Sequence, residues 1–267
     1  MALFSLSLDI LTHTLSGMAA GTVCASLSKR SFGQRALIVL AGTVAGVIPD
    51  LDVISLWSGF DETFGKWFGV SVPGREIYFG KFWYSHHAIT HSIFGSVVCS
   101  LFLALLMLFR KSNRKRFAWI YPISFFLGYQ MHLWGDTPTP GSRWEGIMYW
   151  YPSSEYIGGW GLTWWWNNYD VFLLLALCIV LNWFVAIARN WIKITWIKFV
   201  PTVIFSLCVL TAVISLLNRG DSFNYESYER TSFRDFEQRS LDRQREILGE
   251  DLYQMMRNFD ESINLNF

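Results

Sequence analysis

The sequence predicts an all-α membrane protein, a bundle of about six transmembrane helices followed by a polar helical tail. Its 267 residues are 52% hydrophobic and 18% aromatic, and only 16% are charged. Soluble domains contain about a quarter charged residues, so this composition indicates a chain that lies mostly in a bilayer. Apolar runs recur up to Leu217, after which the sequence becomes polar. We therefore divide the chain into a membrane domain, residues 1–217, and an extramembrane tail, residues 218–267.

The predicted spans are runs of roughly 18–25 predominantly apolar residues, the length that crosses a bilayer as a helix. They cover residues 10–27, 36–57, 88–109, 117–135, 169–188 and 197–217. The first is the least apolar, because it contains His13 and several small or hydroxylated residues. Such residues favour packing of helix against helix over contact with lipid.

Basic residues in alternate loops predict the orientation of these spans. The loops at 28–35, 110–116 and 189–198 together contain eleven lysines and arginines and no acidic residue. The positive-inside rule places such loops in the cytoplasm, so both termini are expected outside. The formal net charge is only +1, and no nucleic-acid partner is predicted.

The polar tail differs from the spans in both charge and pattern. Residues 218–267 contain eleven acidic residues and seven arginines. A weak helical spacing of apolar residues within it predicts one or two amphipathic helices outside the membrane. We expect the tail to pack on the outer face of the bundle, and a lid or partner-binding role is the alternative.

All five histidines fall at the predicted outer ends of spans, together with several aspartates. The histidines are His13, His86, His87, His91 and His132, and the aspartates are Asp9, Asp50, Asp52 and Asp136. A single histidine at this level is commonly no more than a hydrogen-bonded interfacial residue. Ionisable groups at membrane depth are costly and usually face the bundle interior, where they pair or serve function. Their convergence on one side therefore predicts a common site.

The spacing of these groups indicates a metal site. His132 and Asp136 are four residues apart, as are Asp9 and His13, and His87 and His91. Residues at this separation share one face of a helix. Nitrogen and oxygen ligands without sulfur suit Zn²⁺, Mn²⁺ or Fe²⁺, and the four cysteines lie in apolar runs without a CxxC motif.

A short internal repeat supports this grouping. Residues 11–17 read LTHTLSG and residues 89–95 read ITHSIFG. Each opens an inward-running span, and each is followed by an outward-running span that ends in PDLD or in HLWGD. Two such repeated helical hairpins, side by side, would surround a shared cavity with six of the candidate side chains. These six are His13, Asp50, Asp52, His91, His132 and Asp136.

The motifs DILTHTLSG, PDLD, HHAITHS and HLWGDTPTPG resemble those of the YdjM-type membrane-bound metal-dependent hydrolases, a family of bacterial inner-membrane proteins. The resemblance covers roughly residues 9–145. It implies metal-binding roles for His13, Asp50, Asp52, His86, His91, His132 and Asp136. His87 stands where the family commonly has arginine. Helical spacing would pair His87 with His91, whereas the motif alignment gives the metal to His86; the resemblance therefore favours His86 as the ligand and leaves His87 to face the substrate.

These observations lead to the hypothesis of a hydrolase that uses a divalent metal, with zinc the first choice. Such a metal activates water and polarises a phosphoryl or acyl oxygen, and Asp50 or Asp52 is a candidate bridging ligand or general base. Asp50, Asp52 and His87 are thus the catalytic candidates, and Thr12, Thr90 and Thr137 are candidates for orienting the ligands.

The substrate hypothesis rests on the aromatic outer loop at residues 137–168, which is typical of a membrane interface. A lipid or lipid-linked phosphoester is therefore the expected substrate. The alternatives are a non-catalytic membrane scaffold with a structural metal and, less favoured, a metal-ion transporter. A transporter needs ligands near the bilayer midplane, where the second, third and fourth spans are apolar.

Overall fold

The computed structural model describes residues 4–109, 119–139, 145–159, 168–189, 191, 192, 194–218, 242, 245, 246 and 248–262. The basic loop at 110–116, Lys193 and most of the tail before residue 245 lie outside these residues. Long α-helices dominate the described chain, and they are Phe4–Leu27 (α1), Phe32–Ala45 (α2), Ile93–Phe109 (α3), Ile120–Asp136 (α4), Tyr169–Ala188 (α5), Val200–Leu217 (α6) and Glu250–Ser262 (α7). An isolated bridge between Ile147 and Ile157 is the one strand-like pairing within these residues. The all-helical prediction is confirmed.

Fewer helices are long and apolar enough to cross a membrane than the six that the sequence predicted. Three stretches of the described chain are long and apolar enough to cross a membrane: Ile10–Leu27, Tyr169–Ala188 and Thr195–Leu217. The pair Phe32–Ala45 and Ile48–Leu56 makes a fourth if the two helices cross as one. Helices α3 and α4 have 17 residues each, below the roughly 20 that a straight crossing needs.

The second predicted span is broken near its outer end. Helix α2 ends at Ala45, and a 3₁₀ helix follows over Ile48–Leu56 at an angle of 45°. The cause is Pro49, which has no N–H to donate and disfavours α-helical geometry at the residue before it. The prediction of one continuous helix over residues 36–57 is therefore wrong, and Asp50 and Asp52 lie on the 3₁₀ helix.

The third predicted span begins later than expected. Helix α3 starts at Ile93, and a 3₁₀ turn over Ile89–His91 precedes it. His87 has a φ of 63°, in the left-handed region that a continuing helix cannot contain. The predicted start at residue 88 is therefore wrong, and the helical pairing of His87 with His91 does not apply.

Glycines let α1, α2 and α4 cross in close contact. A Cβ added at Gly17 would lie 2.3 Å from the carbonyl oxygen of Gly42, and one added at Gly128 would lie equally close to that oxygen. A Cβ on Gly46 would lie 2.4 Å from the carbonyl oxygen of His13. Small residues at such crossings are how membrane helices pack without large side chains. This crossing brings the outer ends of the three helices together.

The remaining helices pack around this crossing. Helix α3 lies against α4, while α5 and α6 pack on the other side of α1. There Ala19 contacts a cluster that includes Val171, Leu175 and Leu216. In the tail, the amphipathic helix α7 packs Met256 against Tyr169 at the start of α5.

We expect Gly128→Ala to destabilise the protein, because the new methyl group would meet the backbone of α2. Overpacking of this kind typically costs about 1–3 kcal/mol. Thermal unfolding in detergent would show a lower midpoint. Gly33→Ala is the matched control, since a Cβ at Gly33 has no heavy atom within 4 Å. Equal midpoints for the two variants would contradict the close crossing.

Candidate metal centre

Four potential ligand atoms converge at the outer ends of the helices. They are Nε2 of His91, Nε2 of His132, a carboxylate oxygen of Asp50 and a carboxylate oxygen of Asp136. His91 Nε2 lies 3.2 Å from His132 Nε2, 3.4 Å from Asp50 Oδ1 and 3.3 Å from Asp136 Oδ2. His132 Nε2 lies 3.5 Å from Asp50 Oδ1 and 2.8 Å from Asp136 Oδ2. Ligands in a tetrahedral zinc site, with bonds of about 2.0–2.1 Å, are separated by about 3.3–3.4 Å.

The hydrogen bonding of His132 and Asp136 fits a cation at the centre of this group. Nδ1 of His132 lies 2.9 Å from the carbonyl oxygen of Gly46. A carbonyl only accepts, so Nδ1 carries the proton and Nε2 of the neutral ring presents a lone pair. Asp136 Oδ2 is buried and accepts no hydrogen bond from the described residues. A buried acceptor without a donor is costly, and a metal ion at the centre of the group would satisfy Asp136 Oδ2 and take the lone pair of His132.

The Nδ1 side of the His91 ring, away from the four-atom group, contacts His87 and Thr90. Its Nδ1 accepts a hydrogen bond of 3.2 Å from the backbone N–H of His87 and lies 3.2 Å from the Thr90 hydroxyl oxygen. The neutral ring then carries its proton on Nε2, between Asp50 and Asp136. Metal binding at Nε2 would release this proton, as is general for protein metal sites.

Asp52 contacts His86, a candidate ligand that lies next to His91. Its Oδ1 lies 2.9 Å from Nδ1 of His86, and its Oδ2 accepts a hydrogen bond of 3.2 Å from the Thr90 hydroxyl. Carboxylate to histidine contacts of this kind orient ligands from outside the metal shell. Asp52 therefore does not face the four-atom group, and its predicted role as ligand or base stays a prediction.

His86, His87 and His91 form a second group of potential ligands, in which all three rings are buried. Nδ1 of His87 donates to the carbonyl oxygen of Gly146 over 2.9 Å, and the His87 carbonyl accepts from the backbone N–H of Met148 over 2.8 Å. Burial lowers the pKa of His87 well below its usual range, so its ring is neutral at pH 7. It does not supply the fixed positive charge of the arginine that the resemblance leads us to expect at this position.

The description "YdjM inner membrane protein" belongs to a family model that matches residues 8–219, most of the chain and every candidate ligand. The chain belongs to the YdjM inner membrane protein family. The resemblance inferred from the motifs is thereby confirmed, and the protein is an inner-membrane protein. No curated protein and no solved structure matches the chain.

In this YdjM family member, His13 lies beside the four-atom group and contacts it through Asp136. Its Nε2 lies 3.0 Å from Asp136 Oδ1, the oxygen that does not join the four-atom group. Its ring lies over that of His132, with centroids 4.0 Å apart. This geometry lets His13 orient both Asp136 and His132. The direct metal ligation predicted for His13 stays a prediction.

No sequence pattern indicates the backbone groups that complete the site. The carbonyl oxygens of Gly46 and Gly146 each hold a histidine, and every residue type carries such a carbonyl. The hydroxyl of Tyr129 donates to the carbonyl of Thr90 over 2.5 Å, and this tyrosine was also missed because it sits inside an apolar run. Only the fold places these groups beside the histidines.

His13→Phe tests whether His13 is a ligand or an orienting residue. Phenylalanine keeps a ring over His132 but removes the N–H that reaches Asp136. We expect the variant to bind zinc at the same stoichiometry but about 10–100-fold more weakly, the usual effect of losing an outer-shell partner. Titration of the metal-free protein against a zinc-buffered chelator measures this. Complete loss of zinc would instead make His13 a direct ligand.

Proposed function

We propose that this protein is a metal-dependent hydrolase, with zinc as its metal, which cleaves a lipid or lipid-linked phosphoester at the outer face of the inner membrane. The observation that carries the proposal is the convergence of His91, His132, Asp50 and Asp136 at ligand spacing, beside a second buried group that contains His86 and His87. A single closed tetrahedral site needs only four ligands. The additional histidines leave side chains for a substrate or a further ion.

The depth of the site supports a substrate that resides in the bilayer. Helix α4 rises about 1.5 Å per residue, which puts His132 about 18 Å and Asp136 about 24 Å from the start of the helix at Ile120. The hydrocarbon core is about 30 Å thick. With the start of α4 at the inner boundary, the ligands lie near the outer end of the hydrocarbon layer, close to the level of lipid headgroups.

The residues of the site divide the chemical roles between them. His91, His132, Asp50 and Asp136 would hold the metal, which when bound supplies Lewis acidity and lowers the pKa of water. Asp50 is the most accessible of the four ligands, with 15% of its side chain exposed. Its Oδ1 joins the four-atom group, and its second oxygen would take a proton from the attacking water. Asp52 orients His86 and Thr90, while the neutral His87 faces the substrate.

The test is turnover by purified protein in nanodiscs, with phosphoester and acyl-ester lipids supplied in parallel. We expect release of the product of one class, its loss on chelation, and its return when zinc is added back. Asp50→Asn should lower turnover far more than Glu62→Gln, a change at an exposed ion pair with Lys66.

One observation favours a second candidate, a membrane scaffold with a structural metal. Four protein ligands close a tetrahedron, and closed sites are typically structural. A protein that binds zinc but hydrolyses no lipid of either class would support the scaffold and contradict the hydrolase.

The proposed outer location of the site and of both termini follows from the basic loops. Ser112→Cys would place a thiol in the loop at 110–116, which the positive-inside rule assigns to the cytoplasm. A membrane-impermeant thiol reagent should leave this cysteine unlabelled in intact spheroplasts and label it after lysis. Labelling before lysis would invert the proposed topology.

A further inference from the structure

An aromatic segment, residues 57–84, connects the 3₁₀ helix of Asp50 and Asp52 to the histidine loop. It contains a π-helical turn over Asp61–Gly65 that continues as a helical turn over Lys66–Phe68, and a short helix over Gly74–Phe79. Large aromatic side chains stand exposed on it: Trp67 is 75% exposed and Phe68 is 76% exposed. No role in the proposed chemistry uses these side chains.

The aromatic residues of the first turns form a continuous row. The ring of Phe64 lies 6.4 Å from that of Trp57, 6.0 Å from that of Phe60 and 5.6 Å from that of Trp67, measured between centroids. Glu62 and Lys66 pair with each other on the opposite side of the helical turns, whereas Asp61 lies beside the row and is bonded to Gly74. Aromatic residues on one face and charged residues on the other are typical of helices that lie in the membrane interface.

The segment is fixed firmly to the site. Asp61 Oδ1 accepts a hydrogen bond of 2.7 Å from the backbone N–H of Gly74. A Cβ at Gly74 would lie 2.1 Å from the carbonyl oxygen of Ser55, on the 3₁₀ helix. The ring of Tyr78 stacks on that of His86 at 4.3 Å, with planes 12° apart. The exposed aromatic row therefore has a defined position next to the metal centre.

Two observations favour lipid as the partner of this row. The segment contains three acidic residues, Asp61, Glu62 and Glu76, and three basic ones, Lys66, Arg75 and Lys81, so its charges cancel. The row also continues the apolar side of the 3₁₀ helix, where Leu51 is 59% and Ile54 is 45% exposed. In an inner-membrane protein, such side chains face lipid. Tryptophan is favoured at headgroup level, because its ring is apolar while its N–H can stay in contact with water. Phenylalanine is typical of the apolar face of a helix that lies in the membrane interface.

We infer that the aromatic segment inserts Trp67 and Phe68 into the boundary between headgroups and acyl chains, and that the lipid surface is the partner of this face. If the proposed function holds, the insertion also gives a route for the substrate. Asp50 and Asp52 have 15% and 18% of their side chains exposed, whereas His91 and His132 are fully buried. The most accessible side of the site thus lies on the 3₁₀ helix that leads into the segment. A lipid would approach through the bilayer along this helix.

Spin labels test the insertion without any knowledge of the substrate. Phe68→Cys and the control Glu62→Cys would be labelled in a background whose four native cysteines are alanine, reconstituted in nanodiscs of neutral lipid. Unchanged zinc content would show that the background retains its site. Collision with oxygen, which concentrates in lipid, is compared with collision with a water-soluble nickel chelate. We expect the ratio of oxygen to nickel collisions at Phe68 to exceed that at Glu62 severalfold.

The outcomes separate this inference from the proposed function. A ratio at Phe68 equal to that at Glu62 would place the segment in water and overturn the inference, even if the protein hydrolyses lipids. Dipolar broadening between labels, with little access to either collider, would show a second copy of the chain on this face and would also overturn it. Trp67→Cys provides a second position if the Phe68 variant does not fold. Insertion without hydrolysis would leave the inference standing and the hydrolase refuted.

Discussion

Replacement of Asp136 or His132 with alanine is expected to leave the purified protein without stoichiometric zinc. Each change removes one of four ligand atoms that converge at 2.8–3.5 Å. It also breaks a network in which His132 is fixed by Gly46 and Asp136 by His13. The loss of affinity should exceed the roughly 10–100-fold that follows from removal of an outer-shell partner. Elemental analysis of protein purified with and without added zinc measures the result.

Controls distinguish loss of the ligand from loss of the fold. Glu62→Ala removes an exposed carboxylate that pairs with Lys66 on the surface, and this variant should retain zinc. Far-ultraviolet circular dichroism and gel filtration in detergent should show that the ligand variants stay helical and monodisperse. Zinc content equal to that of wild type in either ligand variant would refute the assignment of the site.

Removal of the metal from the wild-type protein is expected to lower its thermal stability substantially. A ligand that binds only the folded state stabilises it by about 4 kcal/mol when present at a thousand times its dissociation constant. Without the ion, Asp136 Oδ2 is buried and accepts no hydrogen bond from the described residues, which is itself costly. Thermal unfolding in detergent, before and after chelation and after addition of zinc, measures the change.

The Asp136→Ala variant supplies the matching control for this experiment. It lacks the site, so the chelator should leave its unfolding midpoint unchanged. An equal shift in the variant and in wild type would mean that the chelator acts elsewhere. A wild-type midpoint that does not respond to chelation or to zinc would contradict the metal centre.

The sequence predicted the helices well where the hydrophobic effect alone decides their limits. The span predicted at residues 169–188 coincides with α5, because its apolar run ends at polar residues on both sides. The predicted limits of a span were wrong where one backbone property ends or delays the helix. Pro49 breaks the second span, and the left-handed conformation of His87 delays the third. The His87 carbonyl and Nδ1 are both bonded to the loop at 146–148, a contact between distant residues that no local pattern reveals.

The candidate site was predictable as a collection of residue types and not as a set of atoms. Topology alone brought His91, His132 and Asp136 to one end of the bundle. It could not indicate which oxygen of Asp136 meets His13, or that Asp52 turns both its oxygens to His86 and Thr90. Which oxygen contacts which residue depends on distances of a few tenths of an ångström. These distances arise from packing between helices, and the spacing of residues along the sequence does not reveal them.

The contact at Gly46 joins the helix crossing to the metal centre. Its missing side chain admits the carbonyl of His13, while its own carbonyl holds Nδ1 of His132. Gly46 therefore affects both the packing of α1 against α2 and the orientation of the His132 ring. Helix tilt responds to the thickness of the surrounding bilayer. Through this residue, a change in the tilt of α1 against α2 would move the candidate ligand His132 as well.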